Sequence, residues 1–127
     1  MKQEIKESAP PIDRRVLDKI REFKGNGDQD LTGRLIAAYV ENSPKFIREL
    51  HEASALCDDD ALQMAAYILK SSSLSLGAMF LASLCERLGH QDRMSDDGHA
   101  SELIARIEEE HSKVVAALEL VIRESKS

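Results

Sequence analysis

The stretch AAYILKSSSLSLGA, residues 65–78, decides how the rest of the chain is read. Together with Leu62, the residues Ala65, Leu69, Ser72 and Leu76 recur at the spacing that lines one side of an α-helix. At about 100° per residue, Tyr67 falls about 200° from Ala65 and so faces away from that side. Lys70, Ser71 and Leu74 follow Tyr67, and Gln63 and Met64 precede it, at steps that keep all six residues on one outward strip. Gly77 then permits a tight turn or a close helix approach.

Working outward, Phe80, Leu81, Leu84, Cys85 and Leu88 form the apolar stripe of a following helix that ends at Gly89. A polar loop, HQDRMSDDG at 90–98, leads to a long last stripe of Leu103, Ile107, His111, Val114, Leu118 and Val121. Upstream, CDDDA at 57–61 turns the chain, and its aspartates suit the positive end of the helix that carries Tyr67. Adjacent aspartates on a helix diverge, so this run is read as a helix start and not as a metal site. From Leu31 onward, Leu35, Tyr39, Phe46, Leu50, Ala53 and Cys57 keep one face through Pro44, which predicts a single helix kinked at the proline. Ile12, Val16, Ile20 and Phe23, with Leu17 beside them, predict a short first helix beginning near Ile12, capped by Asp13 and stopped by GNGD at 25–28. Residues 1–11, polar and ending in two prolines, read as a flexible leader, and residues 12–125 as one helical bundle.

Composition agrees. A chain of 127 residues with 43% hydrophobic and 31% charged residues has the make-up of one globular domain. Aromatics at 4%, no tryptophan and an abundance of Ala, Leu, Glu and Lys favour an all-α protein. The net charge of −6 argues against nucleic acid as a partner. With no apolar run of about 18 residues and no charged-then-apolar leader, neither a membrane span nor a secretory signal is visible, and a cytoplasmic location is expected. Met1 and the polar leader favour a free-standing protein over the end of a longer kinase. Cys57 and Cys85 lack metal-ligand spacing and both fall among apolar positions, so two buried free thiols are expected. No metal and no cofactor are expected.

On these residues the chain resembles the histidine phosphotransfer (HPt) domain of two-component phosphorelays. That family typically reads A-H-x-L-K-[GS]-S-S-x-x-x-G-A, followed by L-x-x-x-C-x-x-L-E. The matching residues are Ala66, Leu69, Lys70, Ser71, Ser72, Ser73, Gly77 and Ala78, then Leu81, Cys85 and Leu88. Ile12-Asp13 matches the family's opening, and CDDDA its acidic turn before the motif helix. The resemblance spans nearly the whole chain and implies an up-down four-helix bundle with an additional short N-terminal helix. It departs at the phosphoacceptor, where Tyr67 replaces the histidine.

Chemistry makes that departure decisive. An imidazole, with an ordinary pKa of about 6.5, offers a lone pair at neutral pH, attacks an aspartyl phosphate and returns the phosphoryl group through a labile P–N bond. A phenol, with an ordinary pKa of about 10, is ionised to roughly 0.1% at pH 7, and no base stands beside it in the motif. A phosphotyrosine would be a stable aryl ester. The resemblance with this substitution therefore implies a pseudo-HPt protein, with no catalytic residue and no enzymatic activity, that regulates signalling by occupancy. The other histidines do not replace the lost one: His111 stands where the stripe wants an apolar residue and reads as a hydrogen-bonded core group, His51 as a solvated helix residue, and His90 and His99 as surface groups beside the loop.

In the family, the lysine after the histidine offsets phosphate charge and a small residue beside it lets a receiver domain approach, properties that Lys70 and Ser71 retain. The implied partner is thus the receiver domain of a response regulator or a hybrid histidine kinase, met through Gln63, Met64, Tyr67, Lys70, Ser71 and Leu74. Ser72 and Ser73 read as small packing residues whose hydroxyls bond back to the preceding turn. Two alternatives stand beside this reading. One is an ordinary phosphotransfer protein whose histidine has been replaced deliberately; the other is a bundle used only for structure or dimerisation, with Tyr67 and Leu74 pairing across a symmetric contact.

Overall fold

The computed structural model describes residues 10–23, 31–90 and 99–125. Most of the leader, the GNGD stop and residues 91–98 of the polar loop lie outside the described residues. Those described form five α-helices and no strand: α1 (Arg14–Phe23), α2 (Leu31–Ala55), α3 (Asp59–Ser75), α4 (Met79–Gly89) and α5 (His99–Ser125). Helix α2 runs on through Pro44 as one element. α2 packs on α3, α3 on α4, α4 on α5 and α5 back on α2, which closes a four-helix bundle, with α1 set against α2.

The stripes predicted from spacing form the core. Leu50, Leu62, Leu69, Leu81, Leu84, Leu88, Leu103, Ile107 and Leu118 of those stripes are fully buried, and so is Ile36, which lies outside the stripe that spacing assigns to α2. Burying one such side chain contributes about 1.5–3 kcal/mol, which is the main force holding the helices together.

Two helices end in the same way, with different residues. After α2, Cys57 takes a left-handed conformation (φ 54°), its N–H donating to Ser54 O at 3.2 Å while Asp58 N–H donates to Ala53 O at 2.9 Å. After α3, Gly77 does likewise (φ 86°), with Gly77 N–H to Leu74 O at 3.1 Å and Ala78 N–H to Ser73 O at 2.9 Å. Both are the paired bonds that satisfy the last carbonyls of a helix and turn the chain. At the first of these turns Asp58 also caps α3, its side chain accepting from Ala61 N–H at 3.1 Å.

Gly77 ties in the start of α1 as well. Its carbonyl accepts from Asp13 N–H at 2.8 Å, and a Cβ on Gly77 would stand 2.6 Å from Asp13 O, so this approach requires glycine. Asp13 caps α1 by accepting from Arg15 N–H at 3.0 Å, and hydrogen bonds from Arg15 hold its carboxyl below the usual carboxylate range. The helix starts at Arg14, two residues later than the spacing predicts, because Ile12 is buried ahead of the cap.

Three placements correct the reading of the stripes. Cys57 is exposed: α2 stops at Ala55, and the left-handed turn carries the thiol off the face that periodicity assigns to it. Leu35 is 40% exposed because it lines an open cleft between α2 and α3, alongside Tyr39, Phe46 and Leu76. Ser72 is only half-buried, and Ser73 occupies the core position in its place.

Candidate functional site

Helix α3 has two unlike faces. Leu62, Ala65, Ala66, Leu69 and Ser73 are buried in the bundle. Gln63, Met64, Tyr67, Ser71 and Leu74 are exposed, and Lys70 is half-buried at the edge. The six residues of the predicted strip thus lie together on the outward side of one helix. Three of them are large and apolar in body: Met64 is 60% exposed, Tyr67 64% and Leu74 41%. A tyrosine, a methionine and a leucine kept in water on adjacent turns form a surface suited to protein contact, since Tyr supplies area at low cost in side-chain entropy.

Lys70 reaches toward α4, where its Nζ lies 3.6 Å from Glu86 Oε1. The other carboxylate oxygen of Glu86 lies 3.7 Å from His90 Nε2, one turn further along. Spacing on α3 had placed Lys70 on the strip without this partner. The pair joins residues on different helices, and no periodicity within α3 or α4 alone announces it.

Two buried hydrogen bonds lie where α2 meets its neighbours. Tyr39 Oη and Ser73 Oγ share a bond of 2.9 Å, linking α2 to α3. His111 Nε2 and Ser43 Oγ share one of 2.6 Å, linking α5 to α2. The Tyr39 and His111 rings stand 6.0 Å apart at 45°. Burial pushes the Tyr39 phenol up to about 12 and holds the His111 imidazole below its usual 6.5. Ser72 Oγ donates back to Leu69 O at 3.2 Å, the local bond expected of it, whereas Ser73 bonds across the interface.

The histidines fall where spacing placed them. His111 is buried and bonded to Ser43, while His51, His90 and His99 are exposed on α2, the end of α4 and the start of α5. His51 Nε2 lies 3.0 Å from Glu108. No histidine stands on the outward strip of α3. Cys85 is a buried free thiol, and burial raises it to about 12. Among the described residues no group of His, Cys, Asp and Glu is arranged to hold a metal ion, and no helix is long and apolar enough to cross a membrane.

No protein-family model and no curated protein sequence matches the chain. Among solved structures it is similar to the histidine-containing phosphotransfer protein B (HptB) from Pseudomonas aeruginosa PAO1, with a TM-score of 0.81 and 30% sequence identity. The similarity covers 92% of this chain and 98% of that one.

Proposed function

Since the chain belongs to the family of histidine-containing phosphotransfer proteins, we propose that it serves two-component signalling as a pseudo-HPt protein, one that docks a partner without carrying phosphate. The partner is the receiver domain of a response regulator or of a hybrid histidine kinase. Occupancy of that partner is the regulatory act.

The observation that carries this reading is Tyr67, 64% exposed on the outward face of α3 at the motif position of the phosphoacceptor. A phenol there is a far weaker nucleophile at neutral pH than the imidazole it replaces, and no histidine lies on the outward strip of α3. The surroundings of that position keep what docking requires. Met64 and Leu74 flank Tyr67 with exposed apolar area, Ser71 leaves room for close approach, and Lys70 offers a cation to an acidic phosphorylation pocket.

Binding of a receiver domain to Tyr67→Ala and to Lys70→Ala tests this role of the strip. Each variant should bind more weakly than the unaltered protein while melting at nearly the same temperature, because exposed side chains contribute within about 0.5 kcal/mol to stability. A strip that tolerates both changes without loss of affinity contradicts the proposal.

A further inference from the structure

The cation that the docking face offers is already engaged within the chain. Lys70 Nζ lies 3.6 Å from Glu86 Oε1, and the same carboxylate meets His90 Nε2 at 3.7 Å. Neither member of the Lys70–Glu86 pair is locked in the core: the side chains are 30% and 53% exposed. An arriving partner can therefore reach both charges. Exposed ion pairs of this kind are weak and open readily, so the pair tunes recognition and does little for stability.

We infer that Glu86 is a specificity-determining residue of the α3 face. Resting on the docking proposal above, the inference concerns which state of a receiver the face accepts. A receiver docked through its phosphorylation pocket presents carboxylates to Lys70, and a phosphorylated one presents a phosphoryl dianion as well. Glu86 holds the lysine and adds a negative charge beside it, so the Lys70–Glu86 pair has no net charge to offer. A lysine held by Glu86 attracts the partner less, and that loss grows with the partner's negative charge, because the withheld cation would have complemented it across the interface. Glu86 thus disfavours the phosphorylated receiver relative to the unphosphorylated one.

The test measures affinity for a receiver domain in two states, with magnesium alone and loaded with beryllofluoride as the phosphoryl mimic. Glu86→Gln should tighten binding of the loaded state by about 2- to 5-fold, the span that an exposed ion pair supplies, and change the unloaded state less. In a Lys70→Met background the same substitution should give a clearly smaller gain. Equal affinity changes in both states, a loss of binding on Glu86→Gln, or an undiminished gain without Lys70 would each overturn the inference. If the unaltered protein binds no receiver, the docking proposal fails by itself. Glu86 is then judged on the Tyr67→His variant, with phosphoramidate as a small phosphoryl donor: Glu86→Gln should speed uptake by a similar factor, and an unchanged rate refutes its role.

Discussion

Tyr39 on α2 and Ser73 on α3 share a 2.9 Å hydrogen bond in the core, joining α2 to the helix that carries Tyr67. Both residues are almost wholly buried, and each hydroxyl is the other's hydrogen-bond partner. Tyr39→Phe strands the Ser73 hydroxyl and should cost about 1–3 kcal/mol in urea denaturation. Ser73→Ala should cost a similar amount. The double variant should cost less than the sum of the two, since the stranded partner is then also gone. Additive losses would show that the bond contributes nothing of its own.

Gly77 and Cys57 occupy equivalent turns, and substitution should act on them in opposite directions. Gly77→Ala forces a side chain into the left-handed region and against Asp13 O, 2.6 Å away, and should destabilise by about 2 kcal/mol or more. Amide exchange at Asp13, whose N–H donates to Gly77 O, should accelerate with it. Cys57→Gly removes the strain of a left-handed cysteine and should be neutral or stabilising by up to about 1 kcal/mol. Thermal melts of the two variants decide the matter, and a Cys57→Gly protein that melts well below the unaltered one contradicts it.

The two thiols should differ sharply in reactivity. Cys57 is exposed, whereas Cys85 is buried and raised to about 12, so little thiolate is available there. A native protein treated with a disulfide reagent at pH 8 should lose one thiol quickly, and Cys57→Ala should abolish that phase. Two equally fast thiols would mean that the α4 core opens far more readily than its packing allows.

Stability should fall as the pH drops below neutrality, through His111. Burial holds its pKa below the usual 6.5, with Glu108 opposing the shift in part. Below about pH 6.5 the unfolded chain therefore binds a proton that the folded one resists, and stability declines until the folded imidazole also protonates, by at most about 1.4 kcal/mol per pH unit. Melting temperatures between pH 7.5 and 5.5 should decline more steeply for the unaltered protein than for His111→Leu. Parallel curves would remove His111 as the source.

Much of this was legible in the chain because burial repeats at helical intervals. The stripes through Leu62, Leu84 and Ile107 announce the bundle, and the angle between Ala65 and Tyr67 places the tyrosine in solvent. Caps at Asp13 and Asp58 follow from the chemistry of short acidic side chains at helix starts. Periodicity fails where the helix does. Cys57 keeps the register of α2 on paper, but the helix has already ended and the backbone has turned. Leu35 lies on the apolar side yet borders an open cleft, since spacing records direction and not whether a neighbour fills the space. The pairing of Lys70 with Glu86 and of Tyr39 with Ser73 depends on how separate helices are set against each other, which single-helix patterns do not contain.

On the proposed reading, a docking face survives on α3 while phosphoryl transfer is lost at one residue. The most direct measurement of this claim mixes the protein and its Tyr67→His variant with phosphorylated receiver domains, following complex formation and the passage of labelled phosphate together. Binding by both, with transfer to the histidine variant alone, is the predicted result. Rapid and reversible transfer to the protein as it stands would contradict the claim, and the labelled side chain would then identify the true acceptor.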